Sequence, residues 1–305
     1  MSESPPTTPV CYRHPGRETY VRCTRCDRPI CPDCMREASV GHQCPECVNE
    51  GRRSVRPART AFGGGAAGRH GYVTKALIAL NVLLMLLSIA SDRGGDAAAG
   101  GSGFGGLAGG ETPLTLWGGV LGYASYVPFG PVHGVAAGEW YRLVTAMFLH
   151  YGLLHLLLNM WALWVLGREL EAVLGRVRFL ALYLIAGLGG NVAVFLFSAA
   201  NQSPTVGAST ATFGLFAAIF VIMRRLGHNT SAIVPILVIN LVFTFAVPGI
   251  SIPGHLGGLV VGALMALVLA YAPRGRRTLV QVVGGAIILL ILLGLVLFRT
   301  AALLG

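Results

Sequence analysis

The chain has 305 residues, of which 54% are hydrophobic and only 12% are charged. Soluble globular domains are about 25% charged, so this composition excludes an ordinary soluble protein. The net charge of +10 does not indicate a nucleic-acid partner, because the arginines lie before and between apolar blocks, as in membrane proteins. The sequence therefore predicts an all-α polytopic membrane protein that is preceded by a small polar domain.

The polar N-terminal region contains all seven cysteines of the chain. Together with one histidine they form four pairs, each with two residues between its members: Cys11 and His14, Cys23 and Cys26, Cys31 and Cys34, and Cys44 and Cys47. Eight ligands at this spacing are enough for two tetrahedral Zn²⁺ sites. Residues 1–50 contain too few large apolar side chains to form a core, so we expect about two structural zinc ions to stabilise them.

The first 40 residues show no apolar segment of the kind found in a signal peptide. We therefore expect the cysteines to stay in the reducing cytoplasm, where metal binding is favoured over disulfides. The spacing alone does not decide which pairs share an ion. His42 is a further candidate ligand, which we expect to be exposed to solvent instead.

A basic, glycine-rich linker is predicted at residues 51–72. It contains Gly63, Gly64 and Gly65 together with Arg52, Arg53, Arg56, Arg59 and Arg69. Such a run beside a membrane span most often sets the topology and contacts lipid headgroups. Residues 1–10, ahead of the cysteines, are expected to form an unstructured tail.

Seven apolar segments are long enough to be membrane spans. They lie roughly at residues 74–90, 150–170, 178–199, 207–223, 232–248, 254–272 and 279–298. An insertion at about 92–147 separates the first two spans, and we expect its Gly/Ala-rich beginning to be mobile and its end to be interfacial. In this layout 20 of the 23 Lys and Arg residues lie on the side of the N-terminus, which predicts a cytoplasmic N-terminus and an external C-terminus.

Two polar residues stand near the outer ends of predicted spans, Ser209 in the fourth and His255 in the sixth. A lone serine in a membrane helix usually only hydrogen-bonds a neighbouring carbonyl, whereas a lone intramembrane histidine indicates a functional site. Together they predict nucleophilic catalysis, with His255 as the general base toward Ser209. The last acidic residue of the chain is Glu171, so we expect a Ser–His dyad that uses no catalytic cofactor.

The second span carries His155 and Asn159, which lie four residues apart and therefore on one helix face. These side chains either join helices through a polar contact or donate hydrogen bonds to a shared site. In the second case they are candidates, with the amide N–H of Ser209, to stabilise an oxyanion.

Small residues predict close packing between the fourth and sixth spans, because they let two helix backbones approach. The small residues are Gly207, Ala208, Ala211 and Gly214 in the fourth span and Gly254, Gly258 and Gly262 in the sixth. We expect this packing to bring the imidazole of His255 within hydrogen-bond reach of Ser209, with Phe213 against the ring.

At these residues the sequence resembles the rhomboid family of intramembrane serine proteases. The resemblance covers roughly residues 72–272 and rests on four motifs in the expected order: Gly138 to Arg142, His150 with His155 and Asn159, Gly207 to Ser209, and Gly254 to Gly258. It implies a six-helix core at residues 73–272, with a seventh helix appended within residues 273–305. It also implies cleavage of the transmembrane segments of other proteins. The predicted topology places Ser209 and His255 in a site that opens toward the outer face of the cell membrane.

The resemblance also implies roles for single residues. Ser209 matches the nucleophile, His255 the general base, and His155 and Asn159 the residues that stabilise the oxyanion. The cysteine-rich region resembles the B-box or treble-clef zinc fingers of actinobacterial rhomboids, which would offer a surface to a cytoplasmic protein partner. This second resemblance implies that one ion is held by Cys11, His14, Cys31 and Cys34 and the other by Cys23, Cys26, Cys44 and Cys47.

The sequence departs from the family where Thr210 follows the serine in place of the usual glycine. Its β-branched side chain is expected to lie beside the oxyanion site, with its hydroxyl bonded to a carbonyl of the preceding turn. This departure supports one alternative, a non-catalytic membrane adaptor that binds transmembrane helices without cutting them. A transporter is disfavoured, because the spans show no inverted repeat and no acidic residue for ion coupling.

Overall fold

The computed structural model describes residues 8–55, 58–66, 68–92, 110–123, 133–199 and 203–305. Contacts within the chain divide it into two units, Met1–Ala58 and Arg59–Gly305. Most of the expected N-terminal tail and the Gly/Ala-rich start of the insertion, residues 1–7 and 93–109, lie outside the described residues, and so does Arg56 of the predicted linker.

The first unit consists of two short hairpins and one helix. Strands β1 (Val10–Cys11) and β2 (His14–Glu18) form one antiparallel pair, and β3 (Arg36–Glu37) and β4 (His42–Gln43) form the other. Helix α1 (Pro45–Ser54) begins where the Sγ of Cys44 accepts a hydrogen bond from the amide of Cys47. The buried side chains of this unit are mainly cysteines, together with Ile30. As predicted, an apolar core alone would be too small to stabilise it.

The second unit is helical, and each of the seven predicted spans is a helix. Two short helices, α3 (Pro113–Gly118) and α4 (Arg142–Thr145), lie in the insertion. The long helices are α2 (Tyr72–Ser91), α5 (Leu153–Leu174), α6 (Arg176–Phe197), α7 (Ser209–Arg225), α8 (Ile233–Ala246), α9 (Ile252–Tyr271) and α10 (Arg277–Leu304). The polytopic all-α fold class is thereby confirmed.

Not every long helix is both long enough and apolar enough to cross a membrane by itself. In the part of the chain that the structure describes, four helices meet both conditions on their own: α2, α6, α9 and α10 with the turn before it. A fifth span results if residues 142–148 and α5 count as one element, bent by 91°. Helix α7 has 17 residues and α8 has 14, so both are short for a bilayer of about 30 Å.

Helices α6, α7 and α9 form the centre of the helical unit. Helix α7 is buried along most of its length, from Thr210 to Ile219. In contrast, α2, α8 and α10 expose leucines, valines and phenylalanines on their outer faces, for example Leu86, Phe245 and Leu290. Because these exposed residues are apolar, the outer faces suit contact with lipid tails and the core suits helix–helix packing.

Glycines set the distance between α7 and α9. A Cβ atom added at Gly258 would lie 1.9 Å from the carbonyl oxygen of Thr210, and one added at Gly262 would lie 2.3 Å from the Cα of Gly214. Helix α6 also approaches α9, since a Cβ added at Gly189 would lie 2.4 Å from Cγ2 of Val261. The predicted close packing of the fourth and sixth spans is confirmed.

A buried carboxylate fixes the start of α2. Both oxygens of Glu171 accept hydrogen bonds there, from the amides of Val73 and Thr74 at 3.0 and 2.9 Å and from the Thr74 hydroxyl at 2.9 Å. The first amides of a helix have no partner within the helix and carry partial positive charge. Glu171 therefore holds α2 to α5 while its own charge is compensated without a lysine or arginine.

The end of the insertion is held by an arginine that is itself buried. Arg142 donates from Nη1 to the carbonyl oxygens of Leu116 and Gly119, at 2.7 and 3.0 Å, and from Nε to Glu139 at 2.6 Å. Burial opposes the ionisation of Glu139, but hydrogen bonds from His133 and Arg142 outweigh it and lower the pKa of the carboxyl group. This segment is therefore an ordered part of the helical unit.

Candidate active site

The chain before Ser209 approaches the ring of His155. Gly207 has a φ of +136°, and its amide donates to the carbonyl oxygen of Ala146 at 2.9 Å. A Cβ atom added at Gly207 would lie 2.8 Å from Nε2 of His155 and 3.3 Å from Oγ of Ser209. Only glycine combines this backbone conformation with so close a ring. The motif thus brings the Ser209 hydroxyl and His155 to the same point.

His255 stands in the first turn of α9. The turn begins at Ser251, whose hydroxyl accepts a hydrogen bond from the amide of Gly254 at 3.2 Å. The imidazole of His255 is buried and stacks on the ring of Phe213, with centroids 4.0 Å apart and planes 18° from parallel. The predicted contact with Phe213 is confirmed, and it fixes the ring to the helix that carries Ser209.

Within the described part of the chain, no hydrogen bond joins Ser209 to His255. The two residues nevertheless lie in the first turns of α7 and α9, whose backbones touch at Gly258. Catalytic hydrogen bonds are often long in free enzymes and shorten when substrate binds. The arrangement therefore allows a serine–histidine pair, although the hydrogen bond itself stays a prediction.

His155 and Asn159 lie on one face of α5, as their spacing predicts. Asn159 is buried, and its side-chain nitrogen donates to the carbonyl oxygen of His155 at 2.9 Å. One of its two N–H bonds is thus used inside the helix, which leaves one for another acceptor. The amide of Ser209, the first residue of α7, has no backbone partner among the described residues and is a further donor.

Sequence reasoning did not assign a role to His150, which borders this group. Its ring lies edge-on to that of His155, with centroids 5.0 Å apart, and its Nε2 accepts a long hydrogen bond of 3.5 Å from the amide of Ala208. Its place in the same motif as His155 and Asn159 was the available signal. His150 therefore links the residue before Ser209 to the ring of His155.

The structure corrects the expectation for Thr210. A Cβ atom added at Gly190 would lie 2.6 Å from the Thr210 Cβ, and one added at Gly254 would lie 3.1 Å from its Cγ2. The side chain therefore packs between α6 and α9. Its buried hydroxyl has no hydrogen-bond partner in the described residues, so the expected bond to the preceding turn is absent.

Comparison with known proteins identifies the family. The family model for the rhomboid domain matches residues 137–272. The protein named "Putative rhomboid protease YdcA" from Bacillus subtilis is 36% identical over 149 residues, which are 47% of this chain and 74% of that protein. The chain belongs to the rhomboid family.

Two longer relatives agree with this assignment. The "Rhomboid protease GluP" of Bacillus subtilis is 39% identical over 172 residues, which are 53% of this rhomboid but only 33% of GluP. The "RHOMBOID-like protein 5" of Arabidopsis thaliana is 35% identical over 147 residues, which are 46% of this chain and 47% of that protein. This rhomboid thus spans half or less of the length of these two relatives.

The first unit of this rhomboid groups its seven cysteines and His14, the eight candidate ligands, into two sets of four. One set is Cys11, His14, Cys31 and Cys34, and the other is Cys23, Cys26, Cys44 and Cys47. In each set all ligand atoms lie within 4.8 Å of one another. These are the sets that the family resemblance implies, and His42 belongs to neither of them.

The distances fit a tetrahedral zinc ion. Zn–S bonds of about 2.3 Å place two sulfur ligands about 3.8 Å apart, and the Sγ atoms of Cys26 and Cys44 are 3.7 Å apart. In the other set, Nδ1 of His14 lies 3.3 Å from Sγ of Cys31 and 3.4 Å from that of Cys34. Burial, with the neighbouring thiols, raises the pKa of Cys34 to about 11. A cation at the centre would compensate thiolates that burial otherwise disfavours.

Proposed function

We propose that this rhomboid is a serine-type endopeptidase that cleaves transmembrane segments of other membrane proteins inside the bilayer. The observation that carries the proposal is the placement of Ser209 and His255. They stand at the starts of two helices in backbone contact, and the histidine ring is stacked on Phe213, one turn along from the serine. Family membership supports the same reaction class.

In the proposed reaction, Oγ of Ser209 attacks the carbonyl carbon of the scissile peptide bond while Nε2 of His255 takes the hydroxyl proton. The tetrahedral intermediate collapses when the imidazolium gives that proton to the leaving nitrogen, which breaks the peptide bond. Water, deprotonated by the same nitrogen, then hydrolyses the acyl-enzyme and restores the serine. No metal or cofactor takes part in these steps.

The oxyanion needs donors in the same place. The amide of Ser209 belongs to the first turn of α7, where peptide dipoles favour negative charge. His155 lies beside Gly207, and Asn159 has one N–H left after its bond within α5. These three groups are the proposed oxyanion donors, and removing one such donor typically costs about 10²–10³-fold in kcat.

The test compares Ser209→Ala and His255→Ala with matched controls at exposed positions, Ser231→Ala and His228→Ala. A model transmembrane substrate in liposomes should be cut by the native protein and by both controls. Neither Ser209→Ala nor His255→Ala should cut it, although their melting temperatures stay near the native value. Asn159→Ala should retain more activity than either, because other donors remain.

The competing function is that of a non-catalytic adaptor that binds transmembrane helices. Its support is the expectation that Thr210 lies beside the oxyanion site; the packing of the Thr210 side chain against Gly190 and Gly254 favours the protease. A serine-reactive probe should label Ser209 in the native protein and leave His255→Ala unlabelled. Cleavage that persists at the native rate in Ser209→Ala would remove the protease assignment.

We also propose the arrangement of the chain around this core. Residues 1–50 form a domain held by about two structural Zn²⁺ ions and available to a cytoplasmic protein partner, and residues 51–72 form a basic linker that contacts lipid headgroups. The six-helix core at residues 73–272 and the seventh helix at residues 273–305 follow. The N-terminus faces the cytoplasm and the active site opens toward the outer face, which the distribution of positive charge supports.

A further inference from the structure

Helix α8 contacts His255 through the hydroxyl of Thr244. Of its 14 residues Thr244 alone is buried, while the rest of this described helix is exposed or half-buried. The Thr244 hydroxyl oxygen lies 2.8 Å from Nδ1 of His255 and 2.8 Å from the carbonyl oxygen of Asn240, one turn earlier in α8. Both distances are those of good hydrogen bonds.

The direction of these two hydrogen bonds can be worked out from the number of protons. A hydroxyl has one hydrogen to donate, and a carbonyl oxygen can only accept. The Thr244 hydrogen must therefore go to Asn240, because otherwise two oxygen lone pairs would face each other at 2.8 Å. The bond to His255 then requires a hydrogen on Nδ1. A neutral imidazole with its hydrogen on Nδ1 carries a free lone pair on Nε2.

We infer that Thr244 is a positioning residue that holds neutral His255 as the Nδ1–H tautomer, so that Nε2 can accept the proton of Ser209. The inference rests on the proposed function. No acidic residue follows Glu171 in the chain, so a carboxylate from the later helices does not set the tautomer. The hydroxyl of Thr244 performs that task without a charge, and it still accepts from Nδ1–H when His255 becomes an imidazolium.

The Phe213 stacking and the Thr244 hydrogen bond have different effects on the histidine. Stacking fixes the plane of the ring but does not favour protonation of one nitrogen over the other. Only the hydrogen bond distinguishes Nδ1 from Nε2, and it comes from a helix that carries neither the serine nor the histidine. Loss of the hydroxyl should therefore change which nitrogen is protonated while the ring stays in place.

Thr244→Val removes the hydroxyl and keeps the branched shape, whereas Thr244→Ser keeps the hydroxyl. We expect kcat to fall about 10-fold or more in Thr244→Val with KM nearly unchanged. The reason is that a fraction of the protein molecules then carries His255 with its hydrogen on Nε2, where it cannot accept the serine proton. Thr244→Ser should stay within about threefold of the native kcat, as a rescue that a purely packing role would not give. Ser91→Ala, which removes another hydroxyl bonded within its own helix, should have the native kcat.

A spectroscopic measurement does not depend on activity. In Ser209→Ala protein with ¹⁵N-labelled histidine, Nδ1 of His255 should give the signal of a protonated nitrogen and Nε2 that of an unprotonated one. Adding Thr244→Val should convert these signals to a tautomer mixture. The His255 signals are assigned by their loss in Ser209→Ala/His255→Ala protein.

Either of two results would overturn the inference: a protonated Nε2 in neutral His255 of the Ser209→Ala protein, or native kcat in folded Thr244→Val. Failure of the proposed function looks different. In that case native protein would show no Ser209-dependent cleavage, while the tautomer signals would still report on Thr244.

Discussion

The contact between α7 and α9 can be tested by adding one methyl group. Gly258→Ala places a Cβ atom 1.9 Å from the carbonyl oxygen of Thr210. A carbon and an oxygen in ordinary contact are at least about 3.3 Å apart, so the two helices must separate locally by about 1.4 Å. The obstacle is backbone, which cannot change its rotamer to make room. Overpacking of this kind costs about 1–3 kcal/mol, partly offset by the gain of about 1 kcal/mol when alanine replaces a helical glycine.

The effect on activity should exceed the effect on stability. Thr210 follows Ser209, and Gly258 is one turn after His255, so the separation acts directly on the two reacting groups. A displacement of about 1 Å in a catalytic pair costs on the order of 10²-fold. We therefore expect Gly258→Ala to lose about 10²-fold in kcat and to unfold at a modestly lower temperature.

The matched control is Gly294→Ala, also in a long apolar helix but with nothing within 4 Å of the added Cβ. It should keep native activity and be equally or more stable. Both proteins are compared in the same liposomes with the same transmembrane substrate, and thermal unfolding is followed in one detergent. If Gly258→Ala matches the control in both measurements, the backbone contact between α7 and α9 is wrong as described.

Four further predictions address the rest of the chain. The reduced protein should contain about two zinc ions, and Cys31→Ser and Cys44→Ser should each remove about one; less than one ion in native protein would contradict the two-site proposal. Reporters fused at Thr60 and Leu303 should lie on opposite sides of the membrane, and the same side for both would refute seven spans. Glu171→Ala should lower the free energy of unfolding by about 2 kcal/mol or more, because two buried donors of Thr74 and the half-buried amide of Val73 lose their acceptor, whereas exposed Glu169→Ala should change it little. Thr210→Gly should lower it by about 2 kcal/mol without faster cleavage, since it leaves a gap between α6 and α9; faster cleavage at equal stability would show that Thr210 restrains the site.

The parts of the fold that follow from periodic patterns could be predicted from the sequence. Apolar length located all seven helices, because a helix in lipid must be long and apolar whatever its neighbours are. The glycines of the sixth span predicted its contact with the fourth, since close backbone approach requires small residues at a fixed helical spacing. The spacing of the cysteine pairs likewise singled out the eight side chains that the structure brings together in two sets of four.

Contacts that depend on a side-chain rotamer could not be predicted in this way. Glu171 caps the start of α2 by accepting from Thr74, 97 residues earlier in the chain, and nothing in either local sequence indicates the pairing. Thr210 was expected to crowd the oxyanion site, but the direction of its side chain depends on space left by Gly190 in a third helix. In the sequence, Thr244 is one of many hydroxyl residues in apolar segments. Its proposed role follows only from the 2.8 Å contact between its hydroxyl oxygen and Nδ1 of His255.

A hydroxyl is easier to bury beside His255 than a carboxylate would be. A buried carboxylate needs compensation, and Glu171 receives it from the three donors at the start of α2. An aspartate beside His255 would need similar donors at the start of α9, where the imidazole is buried and stacked on Phe213. A hydroxyl that already gives its hydrogen to Asn240 carries no net charge, so it costs less to bury and still accepts from the imidazole. In the proposed mechanism, a threonine on α8 therefore orients the base where a carboxylate would be costly.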